Sequence, residues 1–250
     1  MYYCFGITEK GTMPHNEDAM LIGQTVADSG SCELRLKGPF IAAVSDGVSG
    51  ELSGEIASKM CLELIKGIKF NKKTKLDKKL LEIHQQLAEY SAEHEETRNM
   101  QATICGVAVD ENDNISIINV GDSRLYRYRG GKLKQVSRDH SLVQLLYEEG
   151  TITQEQRKTH IHRNIIFPVL GNLKSEPRID ILPLENGITY GDLLLLCTDG
   201  LSDSLSRIEI EEILELPKAM PERIDMLVKK ALENGCKDNI TVIAIVYYED

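Results

Sequence analysis

Three aspartates stand at the ends of three apolar runs. LLLLCTDG (Leu193–Gly200) carries four leucines and a cysteine into Asp199, and FIAAVSDG (Phe40–Gly47) carries a similar run into Asp46. KDNITVIAIV places Asp238 just ahead of the third. A carboxylate at the rim of a buried strand is costly to desolvate without a partner. A single such acid is ordinarily a turn residue, because aspartate favours turns and tolerates left-handed backbone. Three in matching contexts suggest a shared partner, and hard cations take clustered carboxylates. NED (Asn16–Asp18) adds Glu17 and Asp18 at the start of a strand, and SRDH (Ser137–His140) adds Asp139. His140 and Cys197 are the only nitrogen or sulfur ligands of these kinds in the acidic segments. An oxygen-rich set of this kind favours magnesium or manganese over zinc. Two such ions held close together activate a water and clamp the oxygens of a phosphate. Asp46 and Asp199 are each followed by glycine, Gly47 and Gly200, which permits a sharp turn and a carbonyl close to a ligand.

The elements that must carry these acids follow from hydrophobic periodicity. Residues 2–9, 17–24, 32–37 and 40–45 are expected as strands, the last buried on both faces. Helices are expected over 54–68 and 76–96, where apolar residues recur three and four apart. ATICGVAV, NISIINV, SRLYRYR and KLKQV form a strand-rich block broken by turn residues. Helices follow near 141–149 and 153–158, then an irregular stretch over 159–176. Strands return at 178–182 and 192–197, helices at 207–215 and 221–234, and a last strand at 239–247. Short-loop strand runs imply antiparallel pairing, and separate blocks of strands and helices imply α+β. With no Pro/Gly/Ser-rich linker, residues 1–250 are read as one domain.

Composition limits the alternatives. The 250 residues are 42% hydrophobic, with formal net charge −10 and pI about 5.2. That balance argues against a nucleic-acid or anionic-membrane binder. The six cysteines form no C-x-x-C, and four of them lie in apolar segments as small hydrophobes. The N-terminus lacks the pattern of a signal peptide, and no apolar run reaches the about 20 residues that span a bilayer. The reading is a reduced, cytoplasmic monomer.

The motifs also occur in a recognisable order. NED, DGVSG, MQAT (Met100–Thr103), VGDSRLY (Val120–Tyr126), SRDH, LLCTDGLSD and KDNITV together resemble the metal-dependent serine/threonine protein phosphatases of the 2C type, in their bacterial form. The likeness covers nearly the whole chain. It implies a four-layer αββα sandwich of two antiparallel sheets flanked by helices. It implies hydrolysis of phosphoserine and phosphothreonine by a metal-bridging water, with two or three Mn2+ or Mg2+ ions and no phosphoenzyme. By the resemblance, Asp46 bridges both ions, the Gly47 carbonyl binds the second, and Asp199 and Asp238 hold the first. Glu17 reaches the second ion through water with Asp18 beside it, and Asp139 matches the ligand of a third, weaker ion. It also implies phosphorylated protein substrates, a cognate serine/threonine kinase in a signalling role, and a mobile flap over about 145–176 where substrate choice is made.

The sequence departs from the family pattern in three places. Met13 stands where the family carries a phosphate-gripping arginine, and methionine makes no charge-assisted bidentate contact. Either Lys10 or His15 is expected to replace that arginine in part, or the metals alone hold the phosphate. MQAT replaces the commoner M-G-T-T, and Val48 follows the D-G as in many bacterial members. The competing reading is therefore a catalytically weakened phosphoprotein-binding pseudophosphatase; a metal-dependent nuclease lacks the basic surface it needs. Several residues have bland readings. Asp139 is alternatively a helix N-cap, and Asp122 with Arg124 is read as a structural ion pair or turn. HIH (His160–His162) is a solvent or substrate contact, His84 and His94 are helix-surface residues, and YRYRGGK (Tyr126–Lys132) is a hairpin with exposed arginines rather than a nucleic-acid patch.

Overall fold

The computed structural model describes residues 1–48 and 53–248; Ser49 and Gly50 of the DGVSG motif lie outside the described residues. Two six-stranded sheets face each other. The first has the order β4 (Gly30–Leu36), β1 (Tyr2–Glu9), β12 (Ile240–Tyr247), β11 (Leu193–Cys197), β8 (Arg124–Arg129), β9 (Lys132–Gln135). The second has the order β10 (Asp180–Pro183), β7 (Ile115–Val120), β6 (Ile104–Val109), β5 (Phe40–Asp46), β2 (Asp18–Ile22), β3 (Thr25–Ala27). Every neighbouring pair is antiparallel.

The period of two explains the layers. Along β12, Ile243 and Ile245 enter the core between the sheets, while Ile240, Val242, Ala244 and Val246 face the other way. On β11, Leu194 and Leu196 point inward, and Leu193, Leu195 and Cys197 point outward. The outward set packs beneath α5 (Asp199–Ser204), α6 (Arg207–Glu215) and α7 (Met220–Glu233). On the opposite side, Ile41, Ala43, Ile104 and Ala108 meet α1 (Gly54–Lys66) and α2 (Leu76–Glu93). A strand covered on both faces reads as a continuous apolar run, which is why LLLLC lacks alternation. The helices supply matching stripes. Leu76, Leu80, Ile83 and Leu87 are buried on α2, and Ile224, Leu227, Val228 and Ala231 on α7, at three- and four-residue spacing. The result is the helix–sheet–sheet–helix sandwich expected.

The differences from the sequence reading are local. β3 is three residues long and was not expected. CTDGLSD is not a strand end followed by a turn, because α5 begins at Asp199 itself. The glycines after the two aspartates have ordinary φ, so left-handed backbone is not what requires them. They permit close approach instead: a Cβ on Gly47 would collide with Gly54, and one on Gly200 with the Asn239 carbonyl. Short helices α3 (Leu142–Glu148) and α4 (Gln154–Thr159) precede the irregular stretch. That stretch is tied down by isolated bridges from Ile166 to Ser141 and from Leu170 to Ala102, which lies just before β6.

His84 is the clearest correction on α2. It is buried, and its Nδ1 accepts the Gly171 N–H at 3.1 Å. The α2 stripe at 76, 80, 83 and 87 turns position 84 towards the sheet side, and burial holds the imidazole below its ordinary pKa. His94 ends the helix, with its ring stacked on Tyr90. The YRYRGGK hairpin is as expected. Gly130 and Gly131 both have positive φ, the two-residue turn that twisted strands favour. Its arginines are engaged: Arg127 donates to the Glu185 carbonyl, and Arg129 pairs with Asp192.

Candidate metal centre

The acids converge on one rim of the sheet pair. In the second sheet, Asp18 opens β2 directly opposite Asp46, which closes β5. In the first, Asp199 follows β11 and Asp238 precedes β12, and the two strands are neighbours. Backbone bonds weld the rim. Gly47 N–H donates to the Glu17 carbonyl at 3.0 Å, and Thr198 N–H to the Thr241 carbonyl at 3.1 Å. A methyl group on Gly54 would meet Glu17 Oε2 and lie 2.8 Å from the Gly47 carbonyl oxygen. A glycine here thus leaves a cradle in which a carboxylate and a carbonyl oxygen converge.

Polar side chains brace Asp46, Asp18 and Glu17. Thr103, the last residue of MQAT, accepts the Asp46 N–H on its hydroxyl at 3.0 Å, and its own N–H donates to the Asp46 carbonyl at 2.9 Å. The departures at Gln101 and Ala102 therefore leave the residue that braces Asp46 intact. Thr198 is fully buried; its hydroxyl donates to Asp18 Oδ2 at 2.8 Å and accepts the Thr241 N–H at 3.0 Å. Although Thr198 is the N-cap of α5, it makes no side-chain cap bond. Asn239 ties the N-terminal loop to the rim. Its Oδ1 accepts the Glu17 N–H at 2.8 Å, and its Nδ2 donates to the carbonyls of Lys10 and His15 at 3.0 and 2.9 Å. Thr198 and Asn239 escape sequence reasoning, since threonine and asparagine beside a turn are unremarkable on their own.

The electrostatics are those of crowded anions. Burial raises the Asp46 carboxyl well above its ordinary range, and the Asp199 charge adds most to that. Asp199 is raised by burial and then by Asp122 and Asp238. Asp18 rises to about 7 through burial, against the pull of the Thr198 and Thr241 hydroxyls. Asp122 rises to about 7 through burial and then Asp139. Asp238 and Glu17 are raised too, by burial first. Like charges that raise one another are relieved by a cation, and the donors are oxygens throughout. Among the described residues, no three His, Cys, Asp or Glu side chains close into a complete cage. Magnesium-type ions do not require one, because they keep several waters and take few carboxylates. The residues present therefore fit a hydrated divalent ion. Asp46 and Asp199 are half-buried and Asp238 is exposed, so the rim is open to solvent, whereas Asp18 is sealed.

Asp139 lies apart in its bonding. Its carboxylate accepts Arg124 Nη2 at 2.7 Å, Gln135 Nε2 at 2.7 Å and Arg157 Nη2 at 3.2 Å. It does not cap a helix; Ser141 caps α3. Nor do Asp122 and Arg124 form the expected ion pair. Arg124 pairs with Asp139 and reaches Asp203 at 3.9 Å, so Asp122 is left on the acidic side of the cluster. Met13 is 38% exposed in a turn where its N–H donates to the Lys10 carbonyl. His15 Nδ1 lies 4.0 Å from Glu55 Oε2. The His160 and His162 rings are tilted at 55° to one another, with centres 5.5 Å apart.

Comparison with known proteins follows the same outline. The family model described as protein phosphatase 2C matches residues 22–234. The serine/threonine phosphatase stp of Listeria innocua is 32% identical over 250 residues, covering 95% of this chain and 93% of its own. The crystal structure of serine/threonine phosphatase Stp1 from Staphylococcus aureus superposes with TM-score 0.84 at 30% identity, covering all of this chain and 96% of that one. The catalytic domain of the serine threonine protein phosphatase PstP, in complex with two manganese ions, superposes with TM-score 0.78 at 25% identity over the full length of both chains.

Proposed function

Because this chain belongs to the protein phosphatase 2C family and is a serine/threonine phosphatase, we propose that its acidic rim holds two divalent ions, manganese or magnesium. Asp46, Asp199 and Asp238 would surround one, with waters completing its shell, and Asp46, the Gly47 carbonyl and Glu17, through water, would hold the other. When bound, the ions supply Lewis-acid activation of a water and neutralise the oxygens of the phosphate. The observation that carries this reading is the convergence of Asp46, which closes β5, and Asp199, which follows β11 in the other sheet, close enough that the Asp199 charge raises the Asp46 carboxyl.

The chain's own residues keep that site in shape. Thr103 fixes the backbone of Asp46, Asn239 fixes Glu17 and the loop carrying Met13, and Thr198 anchors Asp18 as a buttress behind the rim. Cys197, two residues before Asp199, does not compete as nucleophile: burial pushes it up to about 12, so it is not a thiolate near neutrality. The carboxylates left to a third ion are Asp122 and Asp203, since the oxygens of Asp139 are engaged by two arginines and a glutamine. Residues 145–176 act as the flap over the site, within a single domain of residues 1–250. The substrates are phosphoserine and phosphothreonine proteins phosphorylated by a cognate kinase. All six cysteines are free, which supports a reducing, cytoplasmic setting. Among the described residues, no helix is long and apolar enough to cross a membrane.

The deciding experiment is phosphate release from a phosphothreonine peptide with manganese, with magnesium and with chelator, comparing wild type with Asp199→Asn. Turnover that needs metal and disappears in the variant is the expected result. A folded wild type that binds manganese yet releases no phosphate would overturn the catalytic reading of this centre and leave a phosphoprotein-binding module.

A further inference from the structure

The SRDH segment does something other than ligate. Each of its residues from Arg138 onward grips the α3–α4 segment or the chain that returns from it. Arg138 pairs with Glu148 at the end of α3, and Gln144 of the same helix donates to that glutamate at 2.7 Å. Asp139 pairs with Arg157 of α4. The His140 carbonyl accepts the Phe167 N–H at 2.8 Å, and Ser141 both caps α3 and bridges to Ile166. The buried carboxylate of this series is Asp139, with a side chain only 2% exposed between Arg157 at 12% and Arg124 at 17%. Arg157 also lies over the Tyr147 ring, 5.3 Å from its centre, which joins α4 to α3.

The same carboxylate connects to the metal-binding side. Arg124, bound to Asp139 through Nε and Nη2, donates from Nη1 to the Ser202 carbonyl at 3.4 Å. Ser202 lies in α5, the helix that begins at Asp199. A cavity of about 80 Å3 has Arg157, Asp139, Arg124, Asp122 and Asp199 in its wall. Helix α4 is therefore joined to the helix of a metal-site aspartate by an unbroken polar path: Arg157, Asp139, Arg124, Ser202.

We propose that Asp139 and Arg157 form a latch that seats the α3–α4 segment against the acidic rim. They are positioning residues, and Asp139 is not a ligand. A buried carboxylate between two guanidinium groups is satisfied without a cation, and it sets the orientation of both. Loss of Arg157 removes only the arm reaching α4 and leaves the Arg124 pair in the sheet. The catalytic part of the test below rests on the phosphatase reading; the exchange part does not.

The test is Arg157→Met beside Arg157→Lys. Amide hydrogen exchange is measured over residues 142–167, and KM and kcat are measured for a phosphothreonine peptide and for p-nitrophenyl phosphate. In the Met variant, exchange over 142–167 is expected about tenfold faster, as befits loss of one charge-assisted contact. KM for the peptide rises severalfold, while turnover of the aryl phosphate and activation by manganese hold. The Lys variant, which keeps one charged donor, falls between. Unchanged exchange would overturn the latch. So would faster exchange without any separation between peptide and aryl phosphate, which would leave a merely structural pair. A shift in manganese activation with exchange unchanged would return Asp139 to the metal. If wild type turns over neither substrate, the phosphatase reading fails and the exchange comparison alone decides the latch.

Discussion

Replacing Thr198 by valine tests how the acidic rim is held. The side chain is fully buried and nearly isosteric with valine, so packing is preserved. Two interactions are lost: the hydroxyl's bond to Asp18 Oδ2 and the acceptor for the Thr241 N–H. A hydrogen bond to a charged group contributes about 1.5–3 kcal/mol, and a buried N–H left unpaired costs about 1–3 kcal/mol. The expected loss is about 3–5 kcal/mol at pH 8, a fall in Tm of about 6–10 °C for a chain of this length. Asp18 supplies an internal control. Its carboxyl is raised from 3.8 to about 7, so below that pH it is protonated and the bond is neutral. Neutral bonds contribute about 1 kcal/mol, so the substitution should be milder at pH 5.5 by about 1 kcal/mol. The assay is urea unfolding at both pH values in chelator, with exposed Thr25→Val as reference, expected within about 0.5 kcal/mol of wild type. A loss below about 1 kcal/mol, or one independent of pH, would refute the claim that this hydroxyl supports a raised carboxylate.

Four further outcomes are expected. Asp18 and Asp122 both have folded pKa values raised to about 7, so the native state keeps protons that the unfolded chain has released. In chelator, stability should therefore fall as pH rises from about 4 to about 7; calorimetry showing a rise would contradict the shifts. Manganese should offset that fall, by about 2.7 kcal/mol at a hundredfold excess over Kd, and Asp46→Asn should lose the manganese-dependent rise in Tm while being no less stable in chelator. Met13→Arg should lower KM for a phosphopeptide, because Asn239 fixes the backbone on either side of that turn at Lys10 and His15; an unchanged or higher KM would show that position 13 does not face the phosphate. Leu195→Ala, beneath α6 and α7, should destabilise by about 2–5 kcal/mol in denaturant titration without changing KM.

The acids were visible in the sequence because each contradicts its surroundings. Asp46 and Asp199 interrupt runs that bury everything else, and that conflict marks a position with another task. The strands and long helices were visible for the opposite reason, because their periods agree with their burial. What was hidden depends on partners far along the chain. Asn239 meets Lys10, His15 and Glu17 across more than two hundred residues, and no local pattern announces that contact. Helix α5 was hidden because DGLSDS is a poor helix former. It exists where Leu201 is buried beside Leu205 and where Gly200 lets the first turn lie against Asn239. The two carboxylates of SRDH and GDSR show the same limit from the other side. Equal in sequence, they are separated by where Arg124 turns: it satisfies Asp139 and leaves Asp122 to push on Asp199. Chemistry at the rim is thus assigned by the placement of a cation that is itself no ligand. It follows that exchanging Arg124 would redistribute charge between the two acids, whereas exchanging Arg157 would leave that division in place and move only the segment it holds.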